Sequence, residues 1–241
     1  MALNAYLTQT ARLLQNPAAP SSLYSTTDLT SYINTARSQL AAESQCIRVL
    51  ATVNTAISIN NYAFTGVTVT GTAGVQQILH VRRMMVSVGA GFRWVPPRPW
   101  EWFDLYNLNR VVPSSGAPAV WSQYAQGALG SFFVDPPPNA IYALSLDTVC
   151  LPIPLALDTD PEAIPYPFTD AVPFFAAYYA LLSSQMSTRQ AEAGRMFSAY
   201  QEFVKRGRSF SNPSVNNYMY QQSADVVQLK KLGLQGGGGQ G

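Results

Sequence analysis

The side chains able to do chemistry in this sequence are few and scattered. One histidine, His80, lies in the strand-like run QILHVRRMM. A single imidazole supplies neither a zinc cluster nor a Ser-His-Asp set with a spare base, so His80 reads as structural. Gly71 to Gly74 and Gly89-Ala90-Gly91 have spacings seen in phosphate loops, but no Lys-Ser/Thr and no strand-to-helix turn follows. Both read as turns. The acids of Asp158-Thr159-Asp160-Pro161-Glu162 alternate as ligands of a hard cation do, without the glycine and distal glutamate of a calcium loop. Lys205-Arg206-Gly207-Arg208 could contact phosphates, although cations near a helix C-terminus also answer the helix dipole. Asp104, Asp158 and Asp160 would need a common cleft to work as hydrolytic carboxylates, and nothing in the sequence supplies one. The expectation is a protein with no catalytic, cofactor-binding or metal-binding residues.

Composition points toward surfaces rather than chemistry. Of 241 residues only 12% are charged, about half the share usual in soluble domains. The remaining surface must be built from Tyr, Gln, Asn, Ser, Thr and Pro, which suits contact with partners. Net charge is +2, so no global polycation argues for nucleic acid. The start, MALNAYLTQTARLLQ, lacks the charged head and long apolar middle of a signal peptide, and no apolar run reaches 18 residues. Neither export by that route nor a membrane partner is expected. Cys46 and Cys150 are far apart in apolar contexts and read as two buried thiols rather than a bridge.

Periodicity supplies the elements that would carry such surfaces. Leu3, Leu7, Ala11 and Leu14 recur at helical spacing and stop at Asn16-Pro17. From Thr26 or Thr27, either able to cap, Leu29, Ile33, Ala36, Leu40 and then Ile47 and Leu50 mark a longer helix, with Arg37 and Glu43 as its sparse polar markers. Beyond about Val53 the period falls to two. Strand-like pieces are 66–70, 77–88, 131–134 and 141–150, the last alternating Tyr142, Leu144, Leu146 and Thr148 with smaller or polar residues. From Thr169 to Ser209 a helical pair returns. Asp170 is a candidate cap for its first helix, with Phe174, Tyr178, Leu181 and Leu182 as the apolar stripe, and Ala193, Met196, Tyr200 and Val204 recur in the second.

Three stretches stand out as contact surfaces. Trp100, Trp102 and Phe103 concentrate apolar area between prolines and form either a satellite core or an aromatic partner patch. The linker acids Asp158, Asp160, Glu162 and Asp170 have no base among them, whereas 188–210 carries five positive against two negative residues. Beyond Phe210 the chain is too aliphatic for an ordinary free tail and reads as an arm that orders on a partner, through Tyr218, Tyr220, Val226, Val227, Leu229, Leu232 and Leu234.

The ordered set AVWSQYAQGALGSFFVDPPPNAIYALSLDTVCLPIPL, DTDPEAIPYPFTDAVPFFAAYYALLSSQ, RQAEAGRMFSAYQEFVKRGR and a short SNPS, after the opening MALNAYLTQTARLLQNPAAPSSLYS, resembles the head-to-tail adaptor proteins of tailed bacteriophages, of the podophage type. The resemblance covers nearly the whole chain except its last thirty or so residues. With the element order it implies an α+β fold: an antiparallel helical bundle (1–53 and 158–209), an inserted β-sandwich or barrel-like domain (54–157) and an extended C-terminal arm (210–241). It also implies a non-enzymatic virion protein without cofactors, assembled in the host cytoplasm and placed at the capsid–tail junction. Copies would form a ring, commonly of twelve, bound to the portal above and a tail or nozzle protein below. Double-stranded DNA would pass through the channel without specific binding. Contacts between subunits are then expected from Asp158, Asp160 and Glu162 against Arg195, Lys205 and Arg206. The alternative is a nucleic-acid-binding accessory protein using Arg82, Arg83, Arg93, Arg98 and Lys205 to Arg208.

Overall fold

Helices form where the apolar period is long, and they stop where a single backbone angle changes sign. The computed structural model describes residues 3–17, 22–70, 73–108, 115–183 and 187–211. Its first two helices are α1 (Leu3–Leu13) and α2 (Thr26–Ser44). The cap of α2 is Ser25 rather than either threonine: its Oγ accepts from the Asp28 N–H at 3.1 Å and donates to Asp28 Oδ2 at 2.7 Å. This reciprocal pair satisfies one of the free N–H groups of the first turn. At the other end Gln45 adopts a left-handed φ of 55° and ends the helix. Ile47 and Leu50 therefore do not continue it. They belong to the approach and body of a strand, β1 (Arg48–Asn54), so the sheet begins inside the segment expected to be helical.

Seven more strands and one helix follow: β2 (Asn61–Ala63), β3 (Thr68–Val69), β4 (Val75–Val88), β5 (Gly91–Val95), α3 (Trp100–Leu108), β6 (Val120–Tyr124), β7 (Ser131–Asp135) and β8 (Ala143–Pro152). All pairings between them are antiparallel, in a five-stranded sheet ordered β3-β1-β8-β4-β5 and a three-stranded sheet ordered β2-β7-β6. One isolated bridge, Pro97 to Trp121, touches the two together. The barrel expectation is corrected here: among the described residues neither sheet closes on itself. β8 behaves as its alternation predicts, burying Leu144, Leu146 and Thr148 while Ala143 is exposed and Ser145 and Asp147 are half-buried.

A 3₁₀ turn (Phe168–Ala171) leads into α4 (Val172–Ser183), and α5 (Ser187–Ser211) follows. Asp170 lies within that turn and is not the cap expected of it. The deepest face of α4 is Val172, Phe175, Ala176, Ala177, Ala180 and Leu181, whereas Leu182 of the expected stripe is exposed. Alanines on that face let α4 approach α1, α2 and α5 closely, and it packs on all three. Tyr200 of α5 is fully buried there, its ring 4.7 Å from that of Phe175. One continuous apolar core runs from these helices through Ile47, Ile78 and Cys150 to the facing sides of both sheets, Met84, Leu146, Phe132 and Val134.

Candidate assembly surfaces

Antiparallel register fixes which side chains share the outer face of the five-stranded sheet. Leu50 of β1 is opposite Asp147 of β8, which is opposite Arg83 of β4; one row on, Ser145 is opposite Met85, and Met85 opposite Trp94 of β5. Directly opposed residues point to the same side. Arg48 forks onto Asp147, with Nε to Oδ1 at 3.3 Å and a shorter Nη2 bond to Oδ2. Beside them Leu50, Phe92 and Trp94 are 66%, 63% and 60% exposed. An uncovered sheet face with side chains this large marks a contact site. A shallow depression of about 410 Å³ lined by Arg48, Leu50, Arg83, Met85 and Asp147 lies at its centre. Sequence reasoning missed this surface because it had placed Leu50 on a helix and had not recognised β5. His80 lies on the same strand as Arg83, and burial, then the Arg82 charge, pushes its pKa down.

The three-stranded sheet is covered on its outer side. Trp100 of α3 packs on Phe133 and Tyr124, with ring centroids 4.8 and 4.9 Å apart, and stacks on Phe103 at 6.1 Å. Phe103 is fully buried. Trp100 and Phe103 thus form the satellite core foreseen as one of two readings. Trp102 lies on the same helix. On the other side of α3, Glu101, Asp104 and Leu105 are exposed.

The linker acids are engaged within the chain. Glu162 has its carboxylate enclosed: Oε1 accepts from Arg37 Nη2 at 2.8 Å and the Ile164 N–H at 2.9 Å, and Oε2 accepts from Arg37 Nε at 3.1 Å and the Tyr6 hydroxyl at 2.8 Å. The Arg37 and Glu162 side chains are 1% and 9% exposed. A carboxylate so enclosed cannot meet a neighbouring subunit without dismantling the network, so Glu162 is corrected from a contact residue to a core one. Arg37, expected as a polar marker on the helix surface, is its buried counterion. Burial and then the Glu162 charge push the Tyr6 hydroxyl far up. Asp158 accepts from the Asn4 N–H at 2.9 Å, at the start of α1, where the helix dipole favours an anion. Asp160 accepts from the N–H groups of Leu157 and Ala156 at 2.7 and 2.6 Å, and those bonds pull its pKa down.

On α5, Arg195, Lys205 and Arg206 are exposed, with Arg206 3.8 Å from Glu202 one turn back. The arginines of the nucleic-acid alternative are divided among different tasks. Arg93 donates to the Pro118 carbonyl at 2.6 Å, and Arg208 to the Glu43 carbonyl at the end of α2 at 2.9 Å. Cys46 and Cys150 are free thiols whose pKa values burial pushes up. The arm residues Tyr218, Tyr220, Val226, Val227, Leu229, Leu232 and Leu234 lie outside the described residues. Among the described residues no three His, Cys, Asp or Glu side chains come together to hold a metal ion, and no helix is long and apolar enough to cross a membrane.

Among the described residues, polar groups held in hydrogen bonds lie beside an exposed sheet face, on a chain of mixed α and β architecture. The family model described as SU10 adaptor protein matches residues 1–223, and the chain belongs to that family. It is a bacteriophage adaptor and a virion component. The resemblance to head-to-tail adaptors read from its sequence is thereby shown. A search of curated proteins gave no match.

Proposed function

We propose that copies of this chain form a closed ring at the capsid–tail junction, commonly of twelve subunits, that binds the portal on one side and a tail or nozzle protein on the other. The ring extends the channel through which double-stranded DNA passes without specific binding. The protein works by contact alone, with no reaction and no cofactor. The observation that carries this reading is the uncovered outer face of the five-stranded sheet, on a chain whose family is an adaptor. A face holding Leu50, Phe92 and Trp94 in water loses the favourable free energy of burial that a neighbour would restore. Arg195, Lys205 and Arg206 on α5 offer a second contact region, and residues 213–241 an arm that reaches the portal or the adjacent subunit.

Light scattering of the purified protein, alone and mixed with portal particles, tests the reading. A ring that forms by itself or on the portal is the expected result. A stable monomer that ignores portals would overturn it.

A further inference from the structure

The two exposed faces of the β region carry opposite charge and point outward from different sides of their shared core. On the five-stranded sheet, Arg48 pairs with Asp147, and Arg83, opposite Asp147, is exposed beside Leu50, Met85 and Trp94. On α3, Glu101 and Asp104 are the only charged residues from Trp100 to Leu108, and Leu105, at i+4 from Glu101, is 60% exposed. Residues of both sheets, Met84 and Leu146 from one and Phe132 and Val134 from the other, meet in the core between them. The outer side of the three-stranded sheet receives α3 through Phe133 and Tyr124. The sheets therefore separate α3 from the open face of β1, β8 and β4.

We propose that the outer face of the five-stranded sheet of one copy binds the acidic, leucine-bearing side of α3 of the next copy, so that this pair of faces is the repeating contact of the ring. The inference rests on the ring reading above and names the surface through which the ring closes. A closed ring needs two different complementary faces on each subunit, because a self-complementary face stops at a dimer. Here the complementarity has two parts. Asp147 answers Arg48, so the charge of Arg83 meets the two carboxylates, and Leu105 meets the apolar floor formed by Leu50 and Met85. The occupant is a second copy because both halves are present and exposed on every subunit. Charge matched across an interface favours the correct encounter and penalises the wrong one.

Two charge reversals test the pairing without depending on either variant in isolation. In Arg83→Glu the reversed sheet face meets Asp104, and in Asp104→Arg the reversed helix meets Arg83, so each variant repels its own copies. Each should lower assembly, alone or on portal particles, by about tenfold or more, since like charges forced together cost several kcal/mol. An equimolar mixture of the two should assemble, because every contact in an alternating ring then pairs opposite charges. Recovery by mixing also shows that both variants are folded. Wild-type assembly by both single variants would overturn the proposal, as would a mixture that fails where the wild-type protein succeeds. If the wild-type protein itself never assembles, the ring reading falls first and the contact with it.

Discussion

Replacing Arg37 by methionine should be among the most damaging single substitutions in this protein, because it leaves a buried anion without its cation. Arg37 makes four bonds that end within the chain: two to Glu162, at 2.8 and 3.1 Å, one to the Ile153 carbonyl at 2.6 Å and one to Asn34 Oδ1 at 3.3 Å. Methionine fills similar volume but donates nothing. Breaking one side of a buried ion pair costs about 3–5 kcal/mol, most of it from stranding the partner charge. The Tyr6 hydroxyl and the Ile164 N–H still solvate Glu162, which sets the expectation at the lower end of that range. Chemical denaturation at neutral pH measures it, with the denaturant dependence checked for an unchanged unfolded state. Arg37→Met with Glu162→Gln should cost less than Arg37→Met alone, because no stranded charge remains. A loss below about 1 kcal/mol for the single variant, the size of an exposed pair, would refute the reasoning.

Three further substitutions probe packing and titration. In α5 a methyl group on Gly207 would lie 2.6 and 2.8 Å from ring carbons of Phe168, while one on Gly194 meets nothing within 4 Å. Gly207→Ala should destabilise by about 1–3 kcal/mol through overpacking, and Gly194→Ala should stabilise by about 1 kcal/mol through helix propensity, so their thermal midpoints should move in opposite directions. For His80 the folded pKa lies below the ordinary value, so between that value and the folded pKa the unfolded chain binds more protons. Stability should therefore fall as pH drops below about 6.5, and His80→Gln should flatten that part of the pH profile of the melting temperature.

The parts of the fold legible in the sequence are those fixed by neighbours along the chain. α1, the body of α2 and the helical pair follow from a 3.6-residue period, and β8 from a period of two. Where the sequence misled, the deciding interaction was either a single dihedral angle or a distant residue. Ile47 and Leu50 keep a helical phase with Leu40, yet Gln45 in the left-handed region turns the chain before either is reached. Arg37 stands i+4 from Ile33 on the flank of the buried stripe, yet its type reads as a polar marker because its counterion lies 125 positions later. The alanines of α4 carry little hydrophobic signal, so the aromatic stripe beside them was read as the core face. Of the candidate surfaces, the Trp100–Phe103 cluster was visible as composition, but its direction was not. The open sheet face was invisible until β1 and β5 were placed side by side with β8 and β4, since no local pattern assembles Leu50, Asp147, Arg83 and Trp94.

In the proposed ring, the linker between β8 and α4 sets how the strands and the helices of each subunit are joined. Residues 153–164 contain no helix or strand, and a bare segment of this length between a sheet and a helical layer would act as a hinge. Instead it is fastened at intervals. Arg37 holds the Ile153 carbonyl, and Asn34 both donates to the Leu155 carbonyl at 2.9 Å and accepts from the Leu155 N–H at 2.8 Å. Asp158 joins the start of α1, and Glu162 joins Tyr6 and Arg37. Every one of these partners belongs to α1 or α2, the helices on which α4 rests. The strands and the helices are thus held together by polar bonds, of which those of Arg37, Asn34, Tyr6 and Glu162 are partly buried, where water competes less. In a head-to-tail ring the angle between the two contact faces sets whether the last subunit meets the first, and an error at each contact accumulates around the circle. The buried polar network, silent in any search for catalysis, is in this reading what makes closure possible, and loosening it through Arg37 should broaden the distribution of assembled sizes before it abolishes assembly.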